Sequence, residues 1–281
     1  MMNKILLSIS LSLIFACQSP QKKEETQQKK IASLAPSVSE CLIFLDSSKY
    51  NFKICTNYDT SKVFSELSKI NIYPFDSESL LLQKPDCVIL LDGFNSVATI
   101  GFLKENNIGF YVQKAQKPTQ FFESLKDLSK MLSDSLTAFE KVKKLEKEFL
   151  DLNKTLKPKN IMAVISTQPI YIYGEGSFMD EMVKHLTGEG LACPKNSNAY
   201  PQISPETVLE LNPDVLVFGS SAMRDEFFSS VTLFKKLRAY QKNQILVFDE
   251  NCMSRPSPSC VDCLKQLQLK IEELERIKVK Q

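Results

Sequence analysis

Two apolar runs stand out from polar surroundings: Cys87–Leu91 (CVILL) and Val215–Phe218 (VLVF). Uninterrupted runs of this length, rich in Val, Ile and Leu, mark strands buried on both faces. The same punctuation precedes each. Before the second run, Tyr200-Pro201 is an extended or turn dipeptide and Ser204 offers an N-cap oxygen. Pro205 then suits the first helical position, and Glu206 complements the positive helix N-terminus. Val208, Leu209 and Leu211 give this short helix an apolar side, and Asn212-Pro213-Asp214 ends it. Before the first run, Tyr73-Pro74, Glu78 and Pro85-Asp86 repeat the device. Glu78, Pro85 and Asp86 match Glu206, Pro213 and Asp214 at a constant offset of 128 residues. Helix–Pro-Asp–strand is common α/β punctuation, but its repetition predicts two lobes of similar build, each with a Tyr-Pro and a Glu at its rim.

The rest of the pattern fills in both lobes. Ile31–Leu34 reads as a strand, turned by Ala35-Pro36-Ser37 into a helix reaching Leu45, with Ser37 or Ser39 as cap and Glu40 in its first turn. A helix across Ser96–Asn106 lies between Cys87–Leu91 and a strand at Gly109–Val112, and an amphipathic helix over Phe121–Leu132 ends the lobe. Alternating strands and helices imply a parallel, right-handed βαβ arrangement. In Asp134–Leu156, Leu136, Phe139, Leu145, Phe149, Leu152 and Leu156 recur at helical spacing, Glu140 and Lys144 form an i,i+4 pair, and no Gly or Pro intervenes before Pro158. A helix of ~20 residues reaches about 30 Å and would bridge the lobes as a stiff strut. The second lobe opens with strands at Asn160–Ile165 and Ile170–Tyr173, a loop at Gly174–Ser177, and a helix over Phe178–Leu186 with Asp180 and Glu181 in its first turn. After Val215–Phe218 come a helix near Thr232–Ala239, a strand at Gln244–Phe248 and a C-terminal helix from Pro258 to Ile277.

The chain starts differently. Lys4 precedes the mostly apolar run Ile5–Phe15, followed by Ala16-Cys17, the charge, length and small residue of a signal peptide. The run is too short to span a bilayer. Ile14-Phe15-Ala16-Cys17 resembles a bacterial lipobox, in which Cys17 is lipidated and becomes the new N-terminus. Gln18–Lys30 has no apolar residue except Pro20 and reads as a flexible tether spanning roughly 20 Å. The expected organisation is therefore a signal peptide at 1–16, an anchor and tether at 17–30, an N-terminal lobe at 31–133, a connecting helix at 134–157 and a C-terminal lobe at 158–281.

Composition narrows the chemistry. A net charge of +2, with no basic patch interleaved with aromatics, argues against nucleic acid. Trp is absent, so an aromatic ligand wall must come from Tyr and Phe. Seven cysteines follow Cys17, an odd number, so at least one stays free or pairs outside the chain. Cys41 and Cys87 lie in apolar settings and are expected to be buried thiols. Cys260-x-x-Cys263 has neither a second CxxC nor a nearby His to hold zinc. The only His, His185, argues against a His-rich metal cleft. Gly174-Glu175-Gly176-Ser177 is neither a nucleophile elbow nor a dinucleotide fingerprint. The expectation is a non-enzyme without a cofactor.

In their order along the chain, IASLAPSVSE, ESLLLQKPDCVIL, YIYGEGSFMDEMVKHLTG, YPQISPETVLELNPDVLVFG and SRPSPSCVDCLKQL resemble the substrate-binding proteins of ABC importers for cobalamin, ferric siderophores and haem. The resemblance covers Ile31 to Glu273. Tyr200-Pro201-Gln202-Ile203-Ser204 and Arg255-x-x-Pro258 look most like the cobalamin-binding subgroup. It implies an α/β fold of two Rossmann-like lobes joined by one long helix, with a ligand in the cleft between them. It also implies a monomer, exported and lipid-anchored on the periplasmic side or cell surface of a bacterial membrane, that delivers its ligand to a permease dimer with an ATPase. Similar proteins join comparable regions by a disulfide, implying that Cys193 pairs with Cys260 or Cys263, most readily Cys263. They also place one Glu per lobe against permease Arg residues, roles that fall to Glu78 and Glu206.

A corrinoid needs apolar and aromatic walls with a few polar anchors. Candidate wall residues are Tyr73 and Tyr200, equivalent on the two lobes, with Tyr171, Tyr173 and Phe178 around the Gly174–Ser177 loop and Arg255 as the polar anchor. Tyr171 and Tyr173 alternate on a strand, so at most one of them should face the ligand. Haem is the alternative, since Tyr ligates haem iron. A ferric siderophore would want several cations, for which only Arg255 and Arg224 offer. A surface lipoprotein that binds a macromolecule is the reading of a different class, and it would not need the paired Glu78 and Glu206.

Overall fold

The structure, a computed structural model, describes residues 28–46, 50–132, 136–152, 156 and 159–278. The expected signal peptide, Cys17 and most of the tether lie outside the described residues. The first half runs β1 (Lys29–Ser33), α1 (Pro36–Leu45), β2 (Tyr50–Thr56), β3 (Ser68–Ile70), α2 (Ser77–Gln83), β4 (Cys87–Leu91), α3 (Val97–Glu105), β5 (Gly109–Gln113) and α4 (Pro118–Leu132). Its sheet has the order β3-β2-β1-β4-β5, with every pair parallel. β2 and β3 are additions to the sequence reading. The start of α1 is a correction: Pro36 occupies its first turn after Ala35, so neither Ser37 nor Ser39 caps it and Glu40 lies beyond the first turn. The Ser39 hydroxyl instead donates to the Ser33 hydroxyl at 2.8 Å, tying the helix back to the end of β1.

After α5 (Leu136–Leu150), the second half runs β6 (Ile161–Thr167), β7 (Ile170–Ile172), α6 (Phe178–Thr187), α7 (Pro205–Leu211), β8 (Val215–Phe218), α8 (Ser221–Ser230), a 3₁₀ turn at Thr232–Lys236, α9 (Arg238–Gln241), β9 (Ile245–Val247), α10 (Glu250–Ser254) and α11 (Cys260–Lys278). Its sheet order is β7-β6-β8-β9; β7 returns antiparallel to β6 and the other pairs are parallel. The expected Ser204 cap is present, and Ser177 caps α6 as well. Ser204 accepts from the Thr207 N–H at 3.3 Å, and Ser177 from the Asp180 N–H at 3.2 Å.

The expected strut is shorter than its pattern suggested. α5 has 15 residues, about 22 Å. The Leu152 N–H closes on the Phe149 carbonyl at 3.1 Å, an i,i+3 bond that tightens and ends the helix. Its buried residues are Ala138, Val142 and Phe149, while Leu136 stands exposed. Glu140 pairs with Lys143, one residue short of the expected Lys144. The helix lies against both α4 and α11, so it is packed rather than free-standing.

Strand alternation sends each sheet's side chains to two clusters. Ala32, Ile54, Val88 and Leu90 enter one outer cluster, and Met162, Val164, Leu216 and Phe218 the other. The opposite faces, with Ile31, Cys87 and Ile89 from the first sheet and Ile161, Ala163, Val215 and Val217 from the second, belong to one continuous cluster with α1, α4, α5, α6 and α11. Aromatic contacts stitch it: Phe121 on α4 meets Phe178 on α6 at 6.2 Å, and Phe122 meets Phe149 at 5.4 Å.

This partition corrects the cysteine pairing. Cys263 bonds to Cys252, with the two Cα atoms 5.4 Å apart. Cys193 is free and half-buried against the outer cluster, on the other side of the second sheet from Cys263. Cys260 is free and buried, as are Cys41 and Cys87. Burial pushes the Cys41 thiol up to about 12.

His185 lies in the same central cluster's margin. Its ring stacks on Phe149 at 3.9 Å, and Nε2 is 2.7 Å from the Phe149 carbonyl. Burial lowers its pKa, a shift opposed by that backbone hydrogen bond. The folded state therefore holds fewer protons on this residue than the unfolded chain just below the ordinary His value of about 6.5. Its contribution to stability is full above that value and is lost as pH falls toward the lowered folded pKa. Thermal melts at about pH 7.5 and 5.5 should show a smaller acid-induced drop for His185→Gln than for the wild type; equal drops would exclude His185 as a source of acid sensitivity.

Candidate ligand-binding cleft

In a parallel sheet the loops beyond the carboxyl ends of the strands form the natural crevice, centred where the strand order reverses. In the first sheet that point lies between β1 and β4. The cleft opens there. Ala35, Pro36 and Ser37 follow β1, Leu91 and Phe94 end β4, Tyr58 follows β2, and Tyr73 follows β3. The second sheet closes the other wall with Ile165 near the end of β6, Tyr173 just past β7, Tyr200, and Arg255-Pro256 beyond β9. The enclosed volume is about 550 Å³, within the range of small-molecule sites.

The aromatics form two edge-to-face groups, one per lobe. Tyr73 meets Phe94 at 5.8 Å and Tyr58 at 6.5 Å, and its hydroxyl donates to the Phe94 carbonyl. Tyr173 meets Tyr200 at 6.0 Å. Tyr73 and Tyr200 each remain 53% exposed, so both offer ring surface to a ligand. Desolvation by the surrounding protein raises the Tyr200 phenol pKa. Arg255 lies on the floor, its Nη1 3.3 Å from Glu40 Oε1.

Four of the six expected wall residues thus meet: Tyr73, Tyr173, Tyr200 and Arg255. Tyr171 points elsewhere, its hydroxyl donating to Gln202 at 3.1 Å, as strand alternation requires. Phe178 is corrected from wall to core, being 6% exposed and packed on Phe121. It begins α6, and the first turn of an amphipathic helix faces inward here. Tyr58, Phe94, Leu91, Ile165, Pro256 and the Ala35–Ser37 turn were not expected. Tyr58 follows β2, which has no local sequence signal, whereas Phe94 follows β4, whose apolar run and carboxyl end are legible in sequence.

The Gly174–Ser177 loop has a different task from the expected one. A Cβ on Gly174 would stand 2.6 Å from the Asn198 carbonyl oxygen and 2.8 Å from Pro201 Cδ. The Gly174 N–H donates to the Ala199 carbonyl at 2.9 Å. The missing side chain makes room for the segment bearing Tyr200 rather than for a ligand. Asp180, 1% exposed, fixes the same region. Its Oδ2 accepts from Gly176 N–H at 2.9 Å and pairs with Lys184 at 2.7 Å, and its Oδ1 accepts from Leu191 N–H at 2.7 Å. That ion pair raises the Lys184 pKa.

Glu78 and Glu206 stand exposed in the first turns of α2 and α7. Neither has an ion pair among the described residues. The Ser204 hydroxyl and the helix backbone hold the Glu206 carboxyl below its ordinary range.

The sequence profile of the periplasmic binding protein family matches residues 55–252. The chain belongs to that family. Membership implies an exported substrate-binding protein, and its relatives bear the names of binding proteins rather than enzymes. The vitamin B12-binding protein of Vibrio parahaemolyticus serotype O3:K6 is 21% identical over 280 residues, covering 98% of this chain and 99% of that one. Among solved structures, the periplasmic vitamin B12 binding protein BtuF of Vibrio cholerae superposes with a TM-score of 0.76 at 20% identity, over 88% of this chain and 98% of that chain. S. aureus IsdE complexed with heme gives 0.70 at 15% identity, over 87% and 99%. These likenesses establish the shared fold, the two-lobed α/β architecture of this cobalamin-, haem- and siderophore-type group.

Gly174→Ala in this family member tests the loop assignment. The new methyl should displace the Asn198–Pro201 segment and cost about 1–3 kcal/mol of stability, as overpacking does. It should also weaken ligand binding by moving Tyr200. Urea denaturation and ligand titration measure the two effects; an Ala variant as stable as wild type would show the approach to be slack.

Proposed function

We propose that the protein captures a cobalamin-type corrinoid in this cleft and delivers it to an ABC permease dimer with its ATPase, held to the membrane by lipid on Cys17. The observation that carries the reading is that Tyr73 from one lobe and Tyr200 from the other line a single, largely apolar cleft that also holds one Arg. Such a cavity suits a broad ligand with an apolar body and amide edges. The names of the relatives support the same ligand. In this reading the lobes span 31–133 and 158–281, with the intervening 134–157 joining them.

Haem is the second reading, favoured by the tyrosines and by the fold shared with IsdE. Tyr73 and Tyr200 are exposed enough to reach an iron from the cleft. A ferric siderophore fits less well, since Arg224 pairs with Asp225 away from the cleft and only Arg255 remains. Titrating purified protein with cyanocobalamin should give saturable 1:1 binding. Tyr73→Ala and Tyr200→Ala should each weaken it by ~1–3 kcal/mol, the worth of burying one large apolar side chain. Saturable haemin binding without any response to cyanocobalamin would favour the second reading. A protein that binds none of these but captures a macromolecule would be a surface lipoprotein of another kind.

Delivery requires a docking surface, for which Glu78 and Glu206 are the candidates. One segment per lobe carries a cleft Tyr and, a few residues on, an exposed Glu. Two equivalent charges suit a pseudo-symmetric partner with two basic pockets, and charge pairing steers docking. Glu78→Ala and Glu206→Ala should each weaken association with the cognate permease, and the double change should weaken it further, with ligand affinity retained. Pull-down and uptake assays decide the matter: normal transport by the double mutant would remove the docking role.

A further inference from the structure

Among the described residues, Arg255 is the only charged one lining the cleft, and its charge is met from the opposite lobe. Glu40 on α1 holds the guanidinium through Oε1 at 3.3 Å and is itself anchored by the Ser259 hydroxyl, which donates to Oε2 at 3.2 Å. The Ser259 hydroxyl in turn lies 2.7 Å from that of Ser257, which is buried. Both partners are only partly open to water, with side chains 30% and 28% exposed, so their attraction is less screened than at a free surface. Arg255 also lines a second cavity of about 470 Å³, which Glu40 and Ser259 line with it. The guanidinium is thus paired with Glu40 while it also lines the cleft that the tyrosines wall.

We infer that Glu40 is a specificity-determining residue: by cancelling the charge of Arg255 it leaves the cleft electrically neutral and selects an uncharged, amide-bearing ligand over one that carries carboxylates. Neither Glu40 nor its link to Ser259 follows from the corrinoid assignment. The inference deepens the reading given above and rests on it for the natural ligand, while its charge argument concerns this cleft whatever that ligand is. Arg255 keeps N–H donors to offer to an amide carbonyl, but an anion entering the cleft must compete with Glu40 for the guanidinium.

The test uses the full chain and haemin, whose two propionates make it an anionic probe, beside cyanocobalamin. For the wild type, haemin should bind weakly or not at all, with no tightening when salt falls from about 500 to about 25 mM. Glu40→Gln keeps the side-chain shape and releases the Arg255 charge. It should raise haemin affinity roughly tenfold or more at low salt, and that gain should vanish at high salt and in Glu40→Gln/Arg255→Gln. A folded Glu40→Gln protein with unchanged haemin affinity would overturn the inference, as would wild-type haemin binding that strengthens at low salt. The wild-type arm decides the question if Glu40→Gln fails to fold. Loss of cyanocobalamin binding by the wild type would count against the corrinoid reading alone, since both haemin arms would still report on Glu40.

Discussion

The two sheets depend on a single apolar cluster that neither half completes by itself. Ile31, Cys87 and Ile89 of the first sheet and Ile161, Val215 and Val217 of the second bury into the same continuous core. The helices between them supply aromatics that cross from one half to the other, Phe121 to Phe178 and Phe122 through Phe149 to His185. Burial of such side chains is worth roughly 1.5–3 kcal/mol each. The seam therefore fixes the relative placement of the strand ends, and with it the cleft those ends enclose. Arg255 and Tyr73 come from opposite sides of this seam, so their spacing is a property of the core as much as of the loops.

Much of the architecture is legible from sequence because apolar runs and caps are local signals. β4 and β8, Ser204 as a cap, and the repeated Tyr-Pro and Glu all fall where the pattern puts them. What is illegible depends on partners distant in the chain. β2 (YNFKICT) alternates with Lys and Asn on one side and shows its strand character only through pairing with β1. The end of α5 has no Gly or Pro to announce it. The cysteine pairing was misjudged because Cys193 and Cys263 sit on opposite faces of a sheet, a relation that spacing does not encode.

The candidate site divides the same way. Tyr73 and Tyr200 are visible because each opens a repeated punctuation, whereas strand alternation allows one of Tyr171 and Tyr173 and only the structure shows it is Tyr173. Phe178 misleads because an aromatic beside a glycine loop looks like a ligand wall, yet the first turn of α6 faces the core. Gly174 carries a constraint from within the fold: its bare Cα accommodates Asn198 and Pro201. Glu40 reads in sequence only as a helix-start acid, because its partner Arg255 is 215 residues away.

The shared core also bears on time. Walls that meet through Phe121 and Phe178 separate widely only by wetting those rings, so the cleft is preformed and entry needs no large closure. For a preformed cavity, differences in affinity between related ligands reside mainly in how long each stays.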